Sequence, residues 1–210
     1  MPREVLPRPC LMLVSDRRLA GSEDALVEAV AAAVTGGVNA VQLREKDLSY
    51  AALAHLAIRL GDTIAGRALL IVNTDHWATR DAAADGLHLP DDAALKRPDG
   101  IALIGRSVHA LEAAVQAELD GADYVIAGPV YETTTHPGQP PAGLGLIAAI
   151  TGAVRMPVVA IGGITATRVP DVIAAGADGV AVISAILGAA SPERAARELR
   201  EALAVVPVER

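Results

Sequence analysis

The amino-acid sequence predicts an α/β fold, a single (β/α)8 TIM barrel that spans residues 1–210. Short apolar runs rich in Val, Ile and Leu alternate eight times with helical patterns, and no change of composition marks a second domain. A joint made of a helix-ending small residue, a turn residue and an apolar run also recurs, at residues 36–41, 84–87, 121–125 and 176–180. An open doubly wound sheet is the alternative, but its glycine-rich fingerprint after the first strand is missing.

Each apolar run stops at polar residues or glycine, as expected where a barrel strand reaches its carboxyl end. The predicted strands are residues 10–14, 38–43, 68–72, 86–89, 101–105, 124–127, 158–161 and 179–182. The predicted helices are residues 24–34, 50–65, 78–84, 111–120, 144–154, 168–175 and 192–205, with a short helix at 184–186. Ser49 is the expected cap of the second helix, and Gly36 and Gly176 end two others.

Composition restricts the classes of partner. A net charge of −7 argues against nucleic acid, because phosphate binding needs a basic surface. The one cysteine, Cys10, cannot form a disulfide within the chain and is expected to be buried, which suits a reducing cytoplasm. No apolar run is long enough for a signal peptide or a membrane span. We expect a soluble cytoplasmic protein; a homodimer is compatible with a barrel of this size.

The residues that follow barrel strands at their carboxyl ends face the active site. In this chain they are strongly polar: Gln42, Arg44, Lys46, Asn73, His88, Ser107, His109, Thr133, Thr135, His136, Gly162, Gly163 and Ser184. After the last two strands, backbone N–H groups around Gly162-Gly163 and Ile183-Ser184 predict a phosphate cradle.

Arg44 and Lys46 are the predicted anion clamp. Side chains two positions apart on a strand point to the same side, so Gln42, Arg44 and Lys46 face the mouth together. Such cations bind phosphate or carboxylate. The alternative is a solvated loop in which Glu45 and Asp47 serve as salt partners.

His109 is the acid/base candidate, since an imidazole with a pKa near ~6.5 both gives and takes a proton at neutral pH. His88 lies within a strand and fits a core role equally well. Asp91 and Asp92 could bind a metal with Asp75, but carboxylates also suit a helix N-terminus, which is the favoured interpretation.

These residues together resemble the thiamine phosphate synthase and thiazole tautomerase superfamily over about residues 10–200. The motifs are Val41-Gln42-Leu43-Arg44-Glu45-Lys46, Asn73, Gly105-Arg106-Ser107-Val108-His109, Gly121-Ala122-Asp123-Tyr124-Val125, Gly128-Pro129-Val130-Tyr131-Glu132-Thr133, Ala160-Ile161-Gly162-Gly163-Ile164 and Val182-Ile183-Ser184. The resemblance implies one of two activities. The synthase joins a pyrimidine methyl pyrophosphate to a thiazole phosphate with Mg²⁺, whereas the tautomerase aromatises a carboxylated thiazole phosphate by moving a proton, without metal.

Departures from the synthase pattern favour the tautomerase branch. The synthase has metal-binding Asp residues where this chain has Thr74 and Ala93, and a Lys where it has His136. His109 resembles the proton carrier of the tautomerase, and Glu132 also fits that branch. Gly128-Pro129 and the paired threonines instead resemble the synthase.

We therefore expect a thiazole tautomerase, an isomerase of thiamine biosynthesis that acts on a phosphorylated thiazole without metal or cofactor. The resemblance implies that His109 moves the proton and that Arg44 and Lys46 hold the substrate carboxylate. Further binding residues are expected to be Gln42, Asn73, Ser107, Thr133, Thr135, Gly162, Gly163, Ile183 and Ser184. One alternative is a synthase whose Mg²⁺ is held by Asp75 and Asp92, and another is a non-catalytic thiazole phosphate-binding protein.

Overall fold

Eight parallel strands hydrogen-bond in sequence order and close into a barrel in the computed structural model, which describes residues 5–94, 97–133 and 140–205. The strands are β1 (Cys10–Val14), β2 (Ala40–Leu43), β3 (Leu69–Asn73), β4 (Gly86–Leu89), β5 (Leu103–Val108), β6 (Tyr124–Ala127), β7 (Val158–Ile161) and β8 (Gly179–Val182). The sheet closes because β1 pairs with both β2 and β8. The predicted (β/α)8 barrel is confirmed.

Helices cover the outside of the barrel between consecutive strands, except that the described residues between β4 and β5 form no helix. They are α1 (Arg17–Ala20), α2 (Glu23–Thr35), α3 (Tyr50–Ile64), α4 (His76–Asp81), α5 (Leu111–Leu119), α6 (Gly143–Ala153), α7 (Val169–Ala174), α8 (Ser184–Leu187) and α9 (Pro192–Ala204), with a 3-10 turn at Ala166–Arg168. The predicted cap of α3 is confirmed, since the Ser49 hydroxyl accepts a hydrogen bond from the Ala52 N–H. Within the described ranges, no helix combines the length and the apolar character needed to cross a membrane.

The predicted bounds of β5 and α4 were wrong, and one short helix was not predicted. β5 runs on to Val108, so Ser107 lies inside the strand rather than after it. α4 begins earlier than predicted because the Asp75 carboxylate accepts hydrogen bonds from the N–H groups of Trp77 and Ala78. α1 is absent from the predicted helices, and its Asp16 cap works in the same way, through hydrogen bonds from the N–H groups of Arg18 and Leu19.

Side chains along a strand alternate between two apolar layers, one under the helices and one in the barrel interior. In β1, Leu11 and Leu13 pack outward under the helices, whereas Cys10 and Met12 point into the barrel interior. Cys10 is fully buried, and burial raises the pKa of its thiol to about 12, so the thiol stays protonated at neutral pH. The prediction of a buried, structural cysteine is confirmed.

The barrel interior contains one large aromatic side chain in its described part, that of Tyr124 on β6. Its ring occupies the space beside Gly105 on β5, where an added Cβ would overlap the ring. A side chain at Gly105 is therefore excluded by packing, not by backbone conformation.

We expect Gly105→Ala to lower the free energy of unfolding by about 1–3 kcal/mol, because the new methyl group forces the Tyr124 ring out of place. Gly145→Ala is the matched control, since nothing lies within 4 Å of an added Cβ there and alanine favours helix α6. Urea unfolding of both variants measures the difference. Equal stability of the two variants would contradict the packing account.

Candidate active site

Two adjoining cavities in the described part of the chain open at the carboxyl ends of the strands. The glycine cavity, about 350 Å³, is lined by Gly162, Gly163 and Ser184 among others. The cationic cavity, about 170 Å³, includes Arg44 and Lys46 in its lining. Three residues line both cavities: His109, Ile161 and Ile183. The two spaces therefore share one wall, which suits two ligands that must meet.

Gly162 and Gly163 shape the larger cavity because no other residue fits there. Both have left-handed backbone, with φ of 105° and 63°. A Cβ on Gly162 would lie 2.7 Å from Pro129, and one on Gly163 would lie 2.9 Å from the Tyr131 Cβ. The loop after β6 therefore packs directly against the glycine pair.

Arg168 is a cation of the glycine cavity that the sequence did not reveal. Its guanidinium lies 4.5 Å from the centroid of the Tyr131 ring, and its Nη1 donates a hydrogen bond to the Gly163 carbonyl at 2.6 Å. Among the described residues that line this cavity, it carries the permanent positive charge. It is the last residue of the 3-10 turn and does not directly follow a strand, so the strand-end rule could not find it.

Gln42 brings a buried amide to the cationic cavity. The residue is 2 % exposed, and its Nε2 has no hydrogen-bond partner among the described residues. A buried amide N–H₂ is rarely left unpaired in proteins. The acceptors within its reach are the oxygen of the Tyr124 hydroxyl, which interacts with this amide, and the atoms of a ligand in the cationic cavity.

Arg44 and Lys46 keep their charges for a ligand because neighbouring carboxylates are engaged elsewhere. Asp47 accepts hydrogen bonds from both Arg17 and Arg18, and the Arg17 bonds hold the pKa of Asp47 well below its usual range. Over the described residues, neither Arg44 nor Lys46 forms an ion pair. The alternative of a loop in which Glu45 and Asp47 neutralise these two cations is therefore wrong.

Glu45 fixes the backbone between these two cations. It is 7 % exposed and accepts hydrogen bonds from the Ser15 hydroxyl at 2.7 Å and from the Arg17 N–H at 3.0 Å. The Ser15 Oγ in turn accepts the Arg44 N–H at 2.8 Å. This network ties the end of β1 to the end of β2, so that Glu45 points away from the cavity while its two neighbours line it.

The protonation of one ring nitrogen of His109 follows from its hydrogen-bond partner. Nδ1 lies 2.6 Å from the Gly128 carbonyl oxygen, which can only accept. Nδ1 therefore carries a proton, and Nε2 is the nitrogen left to exchange hydrogen bonds or a proton with a ligand. The side chain lines both cavities, as a group that contacts two ligands must.

His88 belongs to the interior and to the cationic cavity at once. It is 1 % exposed, with Nε2 2.9 Å from the Ser107 Oγ and Nδ1 3.1 Å from the Tyr124 hydroxyl. Burial lowers the pKa of His88 to about 3, helped by the charge of Arg44. The imidazole is therefore neutral at physiological pH.

The remaining predicted residues divide between the two cavities. Asn73 and Ser107 line the cationic cavity, and Thr133 lines the glycine cavity. Thr135 and His136 lie outside the described residues.

The acidic residues are not placed as the sequence suggested. Asp91 lines the cationic cavity, whereas the Asp75 carboxylate caps α4. Residues 90–94 form a turn with no helix, so the prediction that Asp91 and Asp92 begin a helix is wrong. No cluster of three or more His, Cys, Asp or Glu side chains suited to a metal occurs in the described ranges. Asp91 follows the end of β4 closely, so the strand-end rule could have found it.

A family model and two sequence relatives of this chain all point to the same protein family. A family model described as thiamine monophosphate synthase matches residues 11–186. The thiamine-phosphate synthase of Methanoculleus marisnigri is 46% identical over 186 residues, which cover 84% of this chain and 87% of that protein. The thiamine-phosphate synthase of Roseiflexus castenholzii is 40% identical over 203 residues, covering 91% and 87% respectively.

Solved structures agree with this result. A thiamine phosphate pyrophosphorylase from Pyrococcus furiosus superposes with a TM-score of 0.83 at 33% identity, covering 93% of this chain and 96% of that one. A 3-hexulose-6-phosphate synthase has a TM-score of 0.68 at 22% identity, covers 92% of this chain and 99% of that one, and shares the fold alone.

The expectation of a thiazole tautomerase, and with it of an isomerase, is wrong. The relatives at 40% and 46% identity carry the synthase name, which denotes a transferase. The tautomerase prediction relied on Thr74 and Ala93 where the synthase pattern has Asp, and on His109 as a proton carrier. Missing carboxylates show only what a site lacks, and a histidine with a free Nε2 serves either chemistry.

We expect Arg44→Met and Lys46→Met each to weaken the binding of inorganic pyrophosphate by about tenfold, because each removes one charge-assisted contact in the cationic cavity. Calorimetric titration of the purified variants measures the affinity. Arg59→Met is the control, since Arg59 pairs with Asp24 on the outer helices. Unchanged affinity in both cavity variants would contradict the assignment of an anion site.

Proposed function

Because the chain belongs to the thiamine monophosphate synthase family, we propose that it is a transferase that joins a pyrimidine methyl pyrophosphate to a thiazole phosphate and releases pyrophosphate. The family match and the synthase name of relatives at 40% and 46% identity support this activity. The observation that carries the proposal is the pair of adjoining cavities, each equipped for an anionic group.

The glycine cavity is the proposed site of the thiazole phosphate. A phosphate monoester carries a charge near −2 at neutral pH, and it is held by backbone N–H groups and fixed cations. Gly162, Gly163 and Ile183 supply the backbone, and Ser184 adds its hydroxyl. Arg168 contributes positive charge at the rim of the same cavity.

The cationic cavity is the proposed site of the pyrimidine pyrophosphate. Arg44 and Lys46 attract the pyrophosphate, since their side chains are not neutralised by protein carboxylates in the described ranges. The amide of Gln42 and the Ser107 hydroxyl offer hydrogen bonds within the same space. Asn73, the last residue of β3, also lines this cavity.

The reaction breaks the bond between the methylene carbon and the pyrophosphate oxygen, and it forms a bond from that carbon to the thiazole. The electron pair of the broken bond leaves with pyrophosphate, so negative charge grows on the leaving group. Preorganised cations placed where charge develops lower the barrier. Arg44 and Lys46 fill this role, and the wall formed by Ile161 and Ile183 brings the two substrates together while excluding water.

Mg²⁺ is the ion that the proposed reaction requires, and the donor set of the cationic cavity suits it. Mg²⁺ prefers oxygen ligands and is commonly held by one or two carboxylates together with substrate phosphates and waters. Asp91 supplies one carboxylate. The Asn73 Nδ2 donates to the Thr74 hydroxyl, which leaves its carbonyl oxygen for a cation. Bound there, Mg²⁺ would neutralise part of the pyrophosphate charge.

The direct test is turnover by the purified protein of pyrimidine methyl pyrophosphate and thiazole phosphate together, followed by chromatography of the product. We expect metal-dependent formation of thiamine phosphate, with a loss of at least tenfold in Arg44→Met. Binding of thiazole phosphate without turnover, or aromatisation of the carboxythiazole tautomer without coupling, would overturn the proposal.

We expect Asp91→Asn to raise the Mg²⁺ concentration needed for half-maximal coupling by roughly tenfold, because the substitution removes the carboxylate that lines the cavity. Asp92→Asn is the matched control, since Asp92 is not part of the cavity lining among the described residues. Identical Mg²⁺ curves for the wild-type protein and Asp91→Asn would exclude Asp91 as a ligand.

A further inference from the structure

A chain of three hydrogen-bonded polar side chains lies in the apolar interior of the barrel, on three neighbouring strands, and ends in the cationic cavity. It runs from Tyr124 on β6 through His88 on β4 to Ser107 on β5. The surrounding interior side chains are apolar, among them Ile71, Leu103 and Ile126. Buried polar groups in such surroundings are held in place by the few hydrogen bonds that they can make, so each bond direction can be worked out.

The Tyr124 hydroxyl sets the direction of the first bond. The side chain is fully buried, and burial raises the pKa of Tyr124 well above its usual value, so the hydroxyl keeps its proton. The polar neighbours of this hydroxyl are the amide of Gln42, whose buried Nε2 can only donate, and the His88 Nδ1, which lies 3.1 Å from the Tyr124 oxygen. A buried O–H needs an acceptor, and Nδ1 is the acceptor within hydrogen-bond distance. The O–H therefore donates, and Nδ1 of His88 is the unprotonated nitrogen.

The state of His88 then fixes the second bond. The neutral imidazole carries one proton, which must lie on Nε2 when Nδ1 accepts. Nε2 lies 2.9 Å from the Ser107 Oγ, so its N–H donates to that oxygen. The hydrogen of the Ser107 hydroxyl is thereby free to donate elsewhere, and Ser107 lines the cationic cavity with Arg44 and Asn73.

We propose that His88 is a positioning residue: Tyr124 holds it in the Nε2–H tautomer, and it keeps the Ser107 hydroxyl as a donor to an oxygen of the anionic ligand in the cationic cavity. The opposite tautomer would make Ser107 donate to His88 and would present oxygen lone pairs to an anion. The tautomer itself follows from the structure, whereas its effect on turnover rests on the proposed function.

The test begins with nitrogen NMR of the imidazole rings in the ¹⁵N-labelled wild-type protein, with the His88 signals assigned by their loss in His88→Gln. We expect a single neutral Nε2–H tautomer from pH 8 down to pH 5, the range in which an ordinary histidine gains its proton. A protonated Nδ1, a mixture of tautomers or a charged ring would overturn the proposal. The NMR measurement uses no substrate, so its outcome is independent of whether the protein catalyses the proposed reaction.

A double-mutant cycle then tests the link to the ligand, with inorganic pyrophosphate as the probe. Tyr124→Phe removes the donor that selects the tautomer, and we expect about fivefold weaker pyrophosphate binding. In the Ser107→Ala background the same substitution should have no further effect, because His88 acts through that hydroxyl. An equal loss in both backgrounds would mean that Tyr124 has only a packing role and would overturn the proposal.

Discussion

The hydrogen bonding of β1 to β8 is the constraint on which the site depends. Closure of an all-parallel sheet places the carboxyl ends of β1 to β8 around one rim, so side chains far apart in sequence share a small space. Arg44 and Ser184 lie on opposite halves of the chain, yet the cavities to which they belong share a wall. The fold therefore forms two neighbouring sites from the residues at and just after the carboxyl ends of the strands.

The positive charge at that rim is available because different arginines pair with the nearby carboxylates. Arg17 and Arg18 on α1 take up the carboxylates of Glu45 and Asp47, so Arg44 and Lys46 remain available to an anion. Uncompensated cations destabilise a folded protein when they lie close together, and a bound anion relieves that repulsion. The mutual repulsion of Arg44 and Lys46 is therefore a source of the cavity's affinity for an anion.

Sequence reasoning succeeded where a local pattern has one structural outcome. Apolar runs with sharp ends located each strand to within a few residues, and the spacing of Gln42, Arg44 and Lys46 correctly put all three in one cavity. It failed where three-dimensional partners decide the result. Four residues of α1 carry no helical period, and the polar Ser107 lies inside β5 because β5 pairs with β6 as far as Val108.

The branch of the family was also beyond local patterns. Thr74 and Ala93 in place of acidic residues indicated a lost metal site, and Asp91 was assigned to a helix start although it lines the same cavity as Asn73. Arg168 was missed because it reaches its cavity from a 3-10 turn. Both errors arise because contacts across the rim decide which side chains meet.

The most direct measurement is a crystal structure of the protein with thiazole phosphate and inorganic pyrophosphate bound together. The account predicts thiazole phosphate in the glycine cavity, with its phosphate at Gly162, Gly163 and Ser184, and pyrophosphate at Arg44 and Lys46. Each ligand should touch the wall formed by His109, Ile161 and Ile183. Both anions in the same cavity, or pyrophosphate away from Arg44 and Lys46, would contradict it.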